Sequence, residues 1–411
     1  MLRLSPRRLP FHDLLAIQPI RWLLLSRFCV DLYFYSTTIV RFQQERGLDF
    51  TAMFLMESLL SLGIWLADVP TSVWADRFGY RRIILLGRVC QLVGMLIFIF
   101  AYGFWPFALS NVLAGVAIAC SIGCESALLY ASLPTSLREK RGNAAFTLFR
   151  LATTAGSFIG LLCGSFIGAI SPTLAVVLSL PPLLFSLLAG WRIHEPPKSL
   201  APRTHSETTR PPALKETIGI ALATIRRQPR LAGLSIFSSA AFALLNAIFW
   251  YNQPYFTRAG IPVALFGPAM ALAMACQFLA LLRLQSIQRY IGIRWLLWLS
   301  CFLPALAFIA LALTSHPLVS ILLVVCIVAF SAWQAPLVEY QLNKSIPDRS
   351  RATTLSGLGL IGSLIGIVLN PIIGALGDHG LIVTGLGLGC SLLLTGLLIP
   401  LILPGTRNVN N

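Results

Sequence analysis

Acidic side chains are scarce in this chain. Only 15 of its 411 residues are Asp or Glu, and 11% carry any charge, against 56% that are hydrophobic. With a mean hydropathy of +0.79, that balance excludes an ordinary soluble globular protein. Other absences narrow the function. There is no glycine-rich phosphate loop, no metal-ligand constellation and no nucleophile–base pair at motif spacing. An enzyme is therefore not expected, and neither a metal nor a cofactor is implied. The longest polar stretch, residues 191–230, is too short to supply the nucleotide domain of an ATP-driven pump or the sizeable domain of a sensor. The nine cysteines (Cys29, Cys90, Cys120, Cys124, Cys163, Cys276, Cys301, Cys326 and Cys390) all fall in apolar runs and imply no disulfide framework. Cys120 and Cys124, one helical turn apart, read as small packing residues.

What is plentiful is apolar length. At about 20 residues per span, the chain has room for about twelve transmembrane helices. The runs are rich in Leu, Ala, Gly and Ile and too long for barrel strands, and in lipid a helix satisfies its own backbone. The expected spans are 20–42, 51–72, 83–103, 105–131, 143–168, 171–191, 231–256, 262–282, 292–313, 317–340, 352–377 and 380–404. The first run is span-length and no A-x-A-like cleavage site follows it, so it reads as an uncleaved helix.

The net charge of +16 is a topology signal, not a nucleic-acid footprint. One class of loops holds Arg3, Arg7, Arg8 and Arg21, then Arg77, Arg81 and Arg82, then Arg138, Lys140 and Arg141. The same class holds the basic 192–230 segment, Arg283, Arg289 and Arg294, and Lys344, Arg349 and Arg351. The alternate loops hold little beyond Arg46 and Arg258. Basic loops mark the cytoplasmic side, so both termini are expected there, in a bacterial inner membrane, with some attraction to anionic lipid.

The Pro-, Ser- and Thr-rich segment 192–230 suits a cytoplasmic linker whose second half forms a surface helix. It divides the chain into residues 1–191 and 231–411, two pseudo-symmetric bundles of six helices, as in transporters that bind substrate between halves. A faint repeat supports this. ADRFGYRRIILL after the second span is echoed by LQSIQRYIGIRWLL, residues 284–297, after the eighth.

Asp76-Arg77-Phe78-Gly79-Tyr80-Arg81-Arg82 resembles the signature loop of the major facilitator superfamily, G-x-L-A-D-r-x-G-r-[KR]. Asp68-Val69-Pro70-Thr71-Ser72 is similar to the acid-x-Pro-Thr-Gly that precedes it in many bacterial members. GCESALLYASL (123–133), QPYF…AGIP…FG (253–267) and residues 346–380 resemble further stretches of the family, so the likeness covers essentially the whole chain. The resemblance implies a twelve-span secondary transporter, and a latch in which the motif holds one conformation. Asp76 at a turn can accept hydrogen bonds at the positive end of a helix of the other half, expected to be the start of span eleven at Arg351. Gly79 permits the turn, and Arg77, Arg81 and Arg82 face cytoplasm and lipid phosphates. The chain departs from the pattern at Ser72 (Gly in the family), Tyr80 (Arg) and Ala131 (Asp), with Glu139 as a substitute for the last. Gly156, Gly160, Gly164 and Gly168 share one face of span five. Close packing accounts for them, and the family's Gly-Pro antiporter signature is absent there.

Charges inside spans are costly and face a cavity or a partner. Arg27 and Asp31 are four apart and can pair. Glu57 has no partner nearby in sequence. Glu125 and Arg150 lie at similar depth and are expected to meet, as a structural pair or at substrate. Arg88 and Glu339 are expected to snorkel. A proton-coupled carrier needs a carboxylate that gains and loses its proton, and Asp31 or Glu57 is the candidate; a permanently ionised Arg27–Asp31 pair is the alternative. Asn246, Trp250, Tyr251, Asn252, Gln253, Trp333 and Gln334 are candidates to line a cavity for amphipathic molecules, and Tyr251 and Tyr255 equally fit an interfacial aromatic belt.

The expected function is secondary active transport of small organic solutes by alternating access, as a monomer, with protons driving efflux. Uptake, or export of one metabolite such as a siderophore or amino acid, is the alternative within transport; a non-transporting sensor is the alternative outside it.

Overall fold

The computed structural model describes residues 12–194, 219, 226, 228–346 and 351–402; most of the expected linker, with its surface helix, and the side chains of Glu139 and Arg351 lie outside the described residues. Among the described residues the chain is helical and has no strand. The helices are α1 (His12–Leu15), α2 (Gln18–Val30), α3 (Ile39–Gln44), α4 (Phe50–Phe78), α5 (Tyr80–Phe100), α6 (Phe104–Ser121), α7 (Cys124–Ser132), α8 (Thr135–Ile170), α9 (Pro172–Leu178) and α10 (Leu180–Trp191). They continue with α11 (Pro229–Asn246), α12 (Ile248–Arg258), α13 (Phe266–Ile291), α14 (Ile293–Leu313), α15 (Pro317–Ser331), α16 (Gln334–Ser345), α17 (Arg351–Asp378), α18 (Leu381–Leu397) and α19 (Ile399–Ile402).

Among the described residues ten helices are long and apolar enough to cross a membrane, several of them consecutive helices read through a kink, such as Phe104–Ser132. Two expected spans are not among the ten. The last is α18, a shorter apolar helix. The first is broken, because after Val30 the chain leaves helical geometry and resumes it at Ile39. The intervening Asp31–Thr38 stretch is rich in aromatic and hydroxyl residues of low helix propensity. Non-helical backbone at membrane depth survives only where protein covers it. Here Ser179 accepts the Phe34 N–H at 3.0 Å, and the glycine face of α8 supplies the rest of the cover. A Cβ at Gly160 would sit 2.7 Å from the Tyr33 carbonyl, at Gly168 2.6 Å from the Thr38 side chain, and at Gly164 it would collide with the Phe34 carbonyl. Gly160 and Gly164 let α8 lie directly on the broken segment's main chain, Gly156 on the Phe28 carbonyl near the end of α2, and Gly168 on the Thr38 side chain.

The described chain divides into two compact units, one drawn from Met1–Phe42 and Leu59–Thr208, the other from Gln43–Ser58 and Thr209–Asn411. In the first, α5 packs on α6 and α10, and α2 on α10 and α8. Ile20, Leu23, Ile84, Leu128 and Leu129 form the core of that unit. Gly63 and Gly115 bring α4 and α6 to backbone distance, a Cβ at Gly115 falling 2.5 Å from the Leu60 carbonyl. In the second unit α14 packs on α18 and α15, and α11 on α17.

The faint sequence echo has a backbone counterpart. Gly79 alone separates α4 from α5 with φ 94 and ψ 152. Gly292 alone separates α13 from α14 with φ 80 and ψ 160. Both turns need a positive φ that only glycine adopts cheaply.

Candidate functional site: a buried row of alternating charges

Four charged side chains meet inside the first unit. Gly123, at φ 77, kinks the chain after α6 and restarts it as α7, which puts Glu125 in the first turn of a new helix. A carboxylate there is favoured by the helix's unpaired N–H groups. Glu125 is 3% exposed and Arg88, on α5, is 2% exposed; they form an ion pair. Arg88 also donates to Ser26 and Ser121, both at 3.2 Å. The other Glu125 oxygen lies 3.4 Å from Arg27. Arg27 in turn contacts Asp31 at 2.8 Å and donates to Thr153 on α8 at 3.3 Å. The result is a row, Asp31–Arg27–Glu125–Arg88, in which signs alternate and charges cancel.

Its two ends differ. The Glu125–Arg88 end is sealed by serines: Ser26 and Ser186 donate to each other's carbonyls at 3.0 and 2.8 Å, which ties α2 to α10. The Arg27–Asp31 end is partly open, with side chains 24% and 12% exposed. Beyond it stands Tyr33, whose hydroxyl accepts from Gln91 and whose ring meets Tyr35 edge-on at 5.6 Å. Burying four charges costs several kcal/mol per ion unless each finds partners. The row satisfies that condition pair by pair. Chemically, a half-open Arg–carboxylate pair next to a closed one can bind a polar group or exchange a proton at the open end without exposing the closed one.

The expected Arg27–Asp31 pair forms. The expected Glu125–Arg150 pair does not: Glu125 is held by Arg88 and Arg27, while Arg150 is exposed on α8 and makes no ion pair among the described residues. Depth along the membrane brought Glu125 and Arg150 level, but their helix faces differ. Arg88 does not snorkel; it is among the most buried side chains present.

The remaining candidates lie in the second unit or along the motif. Glu57 is partly buried on α4 and makes no ion pair among the described residues. Trp250 packs against Phe54, one turn earlier on α4, with ring centroids 5.9 Å apart. Asn246 ends α11, half-buried. Tyr251 and Tyr255 are not an interfacial belt. They are 0% and 1% exposed, donating to the Ile373 and Leu381 carbonyls at 2.7 Å each. Asn252 donates within its own helix, Trp333 to the Ala280 carbonyl and Gln334 to the Ser238 carbonyl. Along the motif, Asp68 and Pro70 lie inside α4, Asp76 and Arg77 occupy its last turn, and Gly79 is the turn. Arg81 does not simply face outward: it donates to the Trp191 carbonyl at 2.6 Å, closing the end of α10. Arg351 begins α17.

Sequence reasoning missed two charged residues. Asp378, at the end of α17, accepts from the first N–H groups of α4. Arg258, ending α12, donates to the Ala312 and Thr314 carbonyls at 3.1 and 2.7 Å and also to Leu311, capping the end of α14. Most of their partners are main-chain groups, which no side-chain pattern announces.

With ten helices long and apolar enough to cross a membrane among the described residues, the chain is built as a multi-pass membrane protein. The sequence comparison is specific on this point: residues 22–369 match the Major Facilitator Superfamily, and the chain belongs to that family. Among solved structures it is similar to the nucleoside transporter NupG, with a TM-score of 0.73, 13% identity, and 95% and 100% of the two chains covered. It is also similar to a POT family transporter in complex with 5-aminolevulinic acid, with a TM-score of 0.70, 14% identity, and 94% and 96% covered. A bacterial homolog of the human lysosomal transporter Spinster aligns with a TM-score of 0.66, 18% identity, and 97% and 96% covered. These are likenesses of fold. A D-xylose transporter of Levilactobacillus brevis is 29% identical over 140 residues, 33% of this chain and 29% of that protein; the match spans less than a third of that relative. The chain is a transporter of the Major Facilitator Superfamily type, not an enzyme.

Proposed function

We propose that this protein is a monomeric, proton-coupled exporter of small amphipathic solutes working by alternating access. It has twelve spans in two bundles, residues 1–191 and 231–411, joined by the 192–230 linker, with both termini on the cytoplasmic side of a bacterial inner membrane. The broken first helix and the short last one are its first and twelfth spans. The observation that carries the reading is the half-open charge row. Protonating Asp31 frees Arg27 to turn fully to Glu125, so one proton changes the polarity of the open end by one unit while Arg88 keeps the closed end neutral. Glu57, one turn after Phe54 on α4, is the alternative proton carrier, and Asn246 and Trp250 contact substrate. Asp76, with Asp68, Pro70, Arg77, Gly79 and Arg81 shaping its turn, latches onto the start of α17 at Arg351.

Substrate-driven proton flux in proteoliposomes tests the coupling. Asp31→Asn is expected to abolish it and Glu57→Gln to leave it; flux unchanged in both variants removes proton coupling through either group. Accumulation of labelled solutes by cells, with and without protonophore, tests direction. Uptake of a small polar solute is the second reading, favoured by the partial match to the D-xylose transporter. Net accumulation of a sugar that survives the protonophore would establish it in place of export.

A further inference from the structure

Both ends of α4 carry carboxylate chemistry, and only one end belongs to the motif. At the other end, the carboxylate of Asp378 accepts the Phe50 N–H at 2.8 Å, the Thr51 N–H at 3.1 Å and the Thr51 hydroxyl at 2.5 Å. Asp49 accepts the next N–H, that of Ala52, at 2.7 Å, and the Asp49 carbonyl takes that of Met53 at 3.1 Å. The donors that a helix start leaves orphaned are thus met, two of them by a residue 327 or more positions away in the chain. The contact continues along both helices. A Cβ at Gly374 would fall 2.6 Å from the Phe50 carbonyl, and one at Gly377 2.8 Å from the Phe50 ring. Ser58 donates to the Ile367 carbonyl at 3.0 Å. The Tyr251 ring lies 5.0 Å from Phe50 and 5.4 Å from Phe54, and its hydroxyl reaches Ile373. This contact is why Gln43–Ser58 groups with the second unit while α4 continues from Leu59 in the first.

An aspartate closing a helix is unfavourable in its own helix's field and favourable at the start of another. Asp378 is therefore worth having at this position only while α4 is docked. In the latch proposed above, Asp76 at the end of α4 serves the start of α17; in the structure Asp378, at the end of α17, meets the start of α4. We propose that Asp378 and Thr51 form a second, reciprocal clasp, and that the two clasps close alternately, so that releasing Asp378 from the start of α4 is a required step of each transport cycle. This rests on the alternating-access reading above. It adds a specific gate at residues 50–58 and 367–378 and its working residue.

Hydrogen–deuterium exchange on the purified full-length protein tests it without any substrate. In Asp378→Ala, amides of residues 45–58 are expected to exchange roughly fivefold faster or more, the loss of a helix cap, and those of residues 72–82, around the motif, to exchange more slowly as the opposite clasp closes. Asp378→Asn and Thr51→Val, milder changes that retain the fold if the alanine variant does not, are expected to move both regions in the same senses by less. Faster exchange at 45–58 with no change at 72–82 makes Asp378 a static cap and overturns the proposal, as does no change at either end. Asp76→Asn separates this from failure of the underlying reading. If Asp76→Asn speeds exchange at 72–82 and slows it at 45–58 while Asp378→Ala moves only its own end, alternating access stands and the Asp378 clasp falls. If neither variant moves the far end, alternating access falls with it.

Discussion

Replacing Arg88 by Met removes the closed end's only cation. The change deletes the donors to Ser26 and Ser121 and the ion pair to Glu125, leaving a carboxylate 3% exposed with Arg27 as its one partner, at 3.4 Å. Breaking one partner of a buried pair costs about 3–5 kcal/mol, because the remaining charge stays desolvated, whereas replacing both partners by apolar groups of similar volume is close to neutral. Arg88→Met is therefore expected to lose about 3–5 kcal/mol, Glu125→Leu a similar amount, and the double variant less than either alone. The coupling between the sites is then at least about 3 kcal/mol, at the top of the range for residues in direct contact. Unfolding in sodium dodecyl sulfate, followed by the fluorescence of the nine tryptophans, reads all three variants on one scale. Costs that add to within about 0.5 kcal/mol would show the two side chains to be energetically independent and would refute the charge row as a stabilised unit.

The glycine face of α8 makes a sharper steric prediction. Gly164→Ala sets a methyl against the Phe34 carbonyl and is expected to cost about 1–3 kcal/mol, seen as a fall in monodisperse yield by fluorescence-detected gel filtration. Gly142→Ala, on the same helix with nothing within 4 Å, is expected to hold or raise yield, since alanine is favoured by up to about 1 kcal/mol in a helix; equal losses at both sites would remove the close-approach argument. Arg258→Met strips the donors from the last carbonyls of α14 and is expected to destabilise by about 1.5–3 kcal/mol. Arg258→Lys, keeping the charge but not the fork, is expected to recover only part of it in the same detergent titration.

Helix class, family and the Arg27–Asp31 pair were legible because each depends on local sequence: apolar length, a motif at fixed spacing, and two residues one turn apart. Glu125 was identifiable as costly, but not its partner. Arg150 lies at the right depth, yet pairing also depends on which way each helix face turns, and that is set by packing between α5, α7 and α2. Arg88 was misread for a related reason: nearness to a helix end suggests water, but Ser26 of α2, Ser121 of α6 and Glu125 of α7 hold it. Tyr251 and Tyr255 have the composition of an aromatic belt, and only the tertiary contact with carbonyls of α17 and α18 makes them core. Asp378 left one usable trace, an aspartate ending a helix where its own dipole disfavours it. Such a residue needs a partner elsewhere, and a helix start is the natural one.

At its middle, around Gly160 and Gly164, the seam between α8 and the broken first helix is main chain against main chain. Peptide groups are the same whatever the residue, so this seam offers selection nothing to adjust: nearly any side chain added to it collides, and none can be trimmed from it. Variation is therefore expected at the side chains the broken segment presents elsewhere, Tyr33 toward Gln91 and Tyr35 toward Phe98. The glycines fix the stage on which those rings are free to vary.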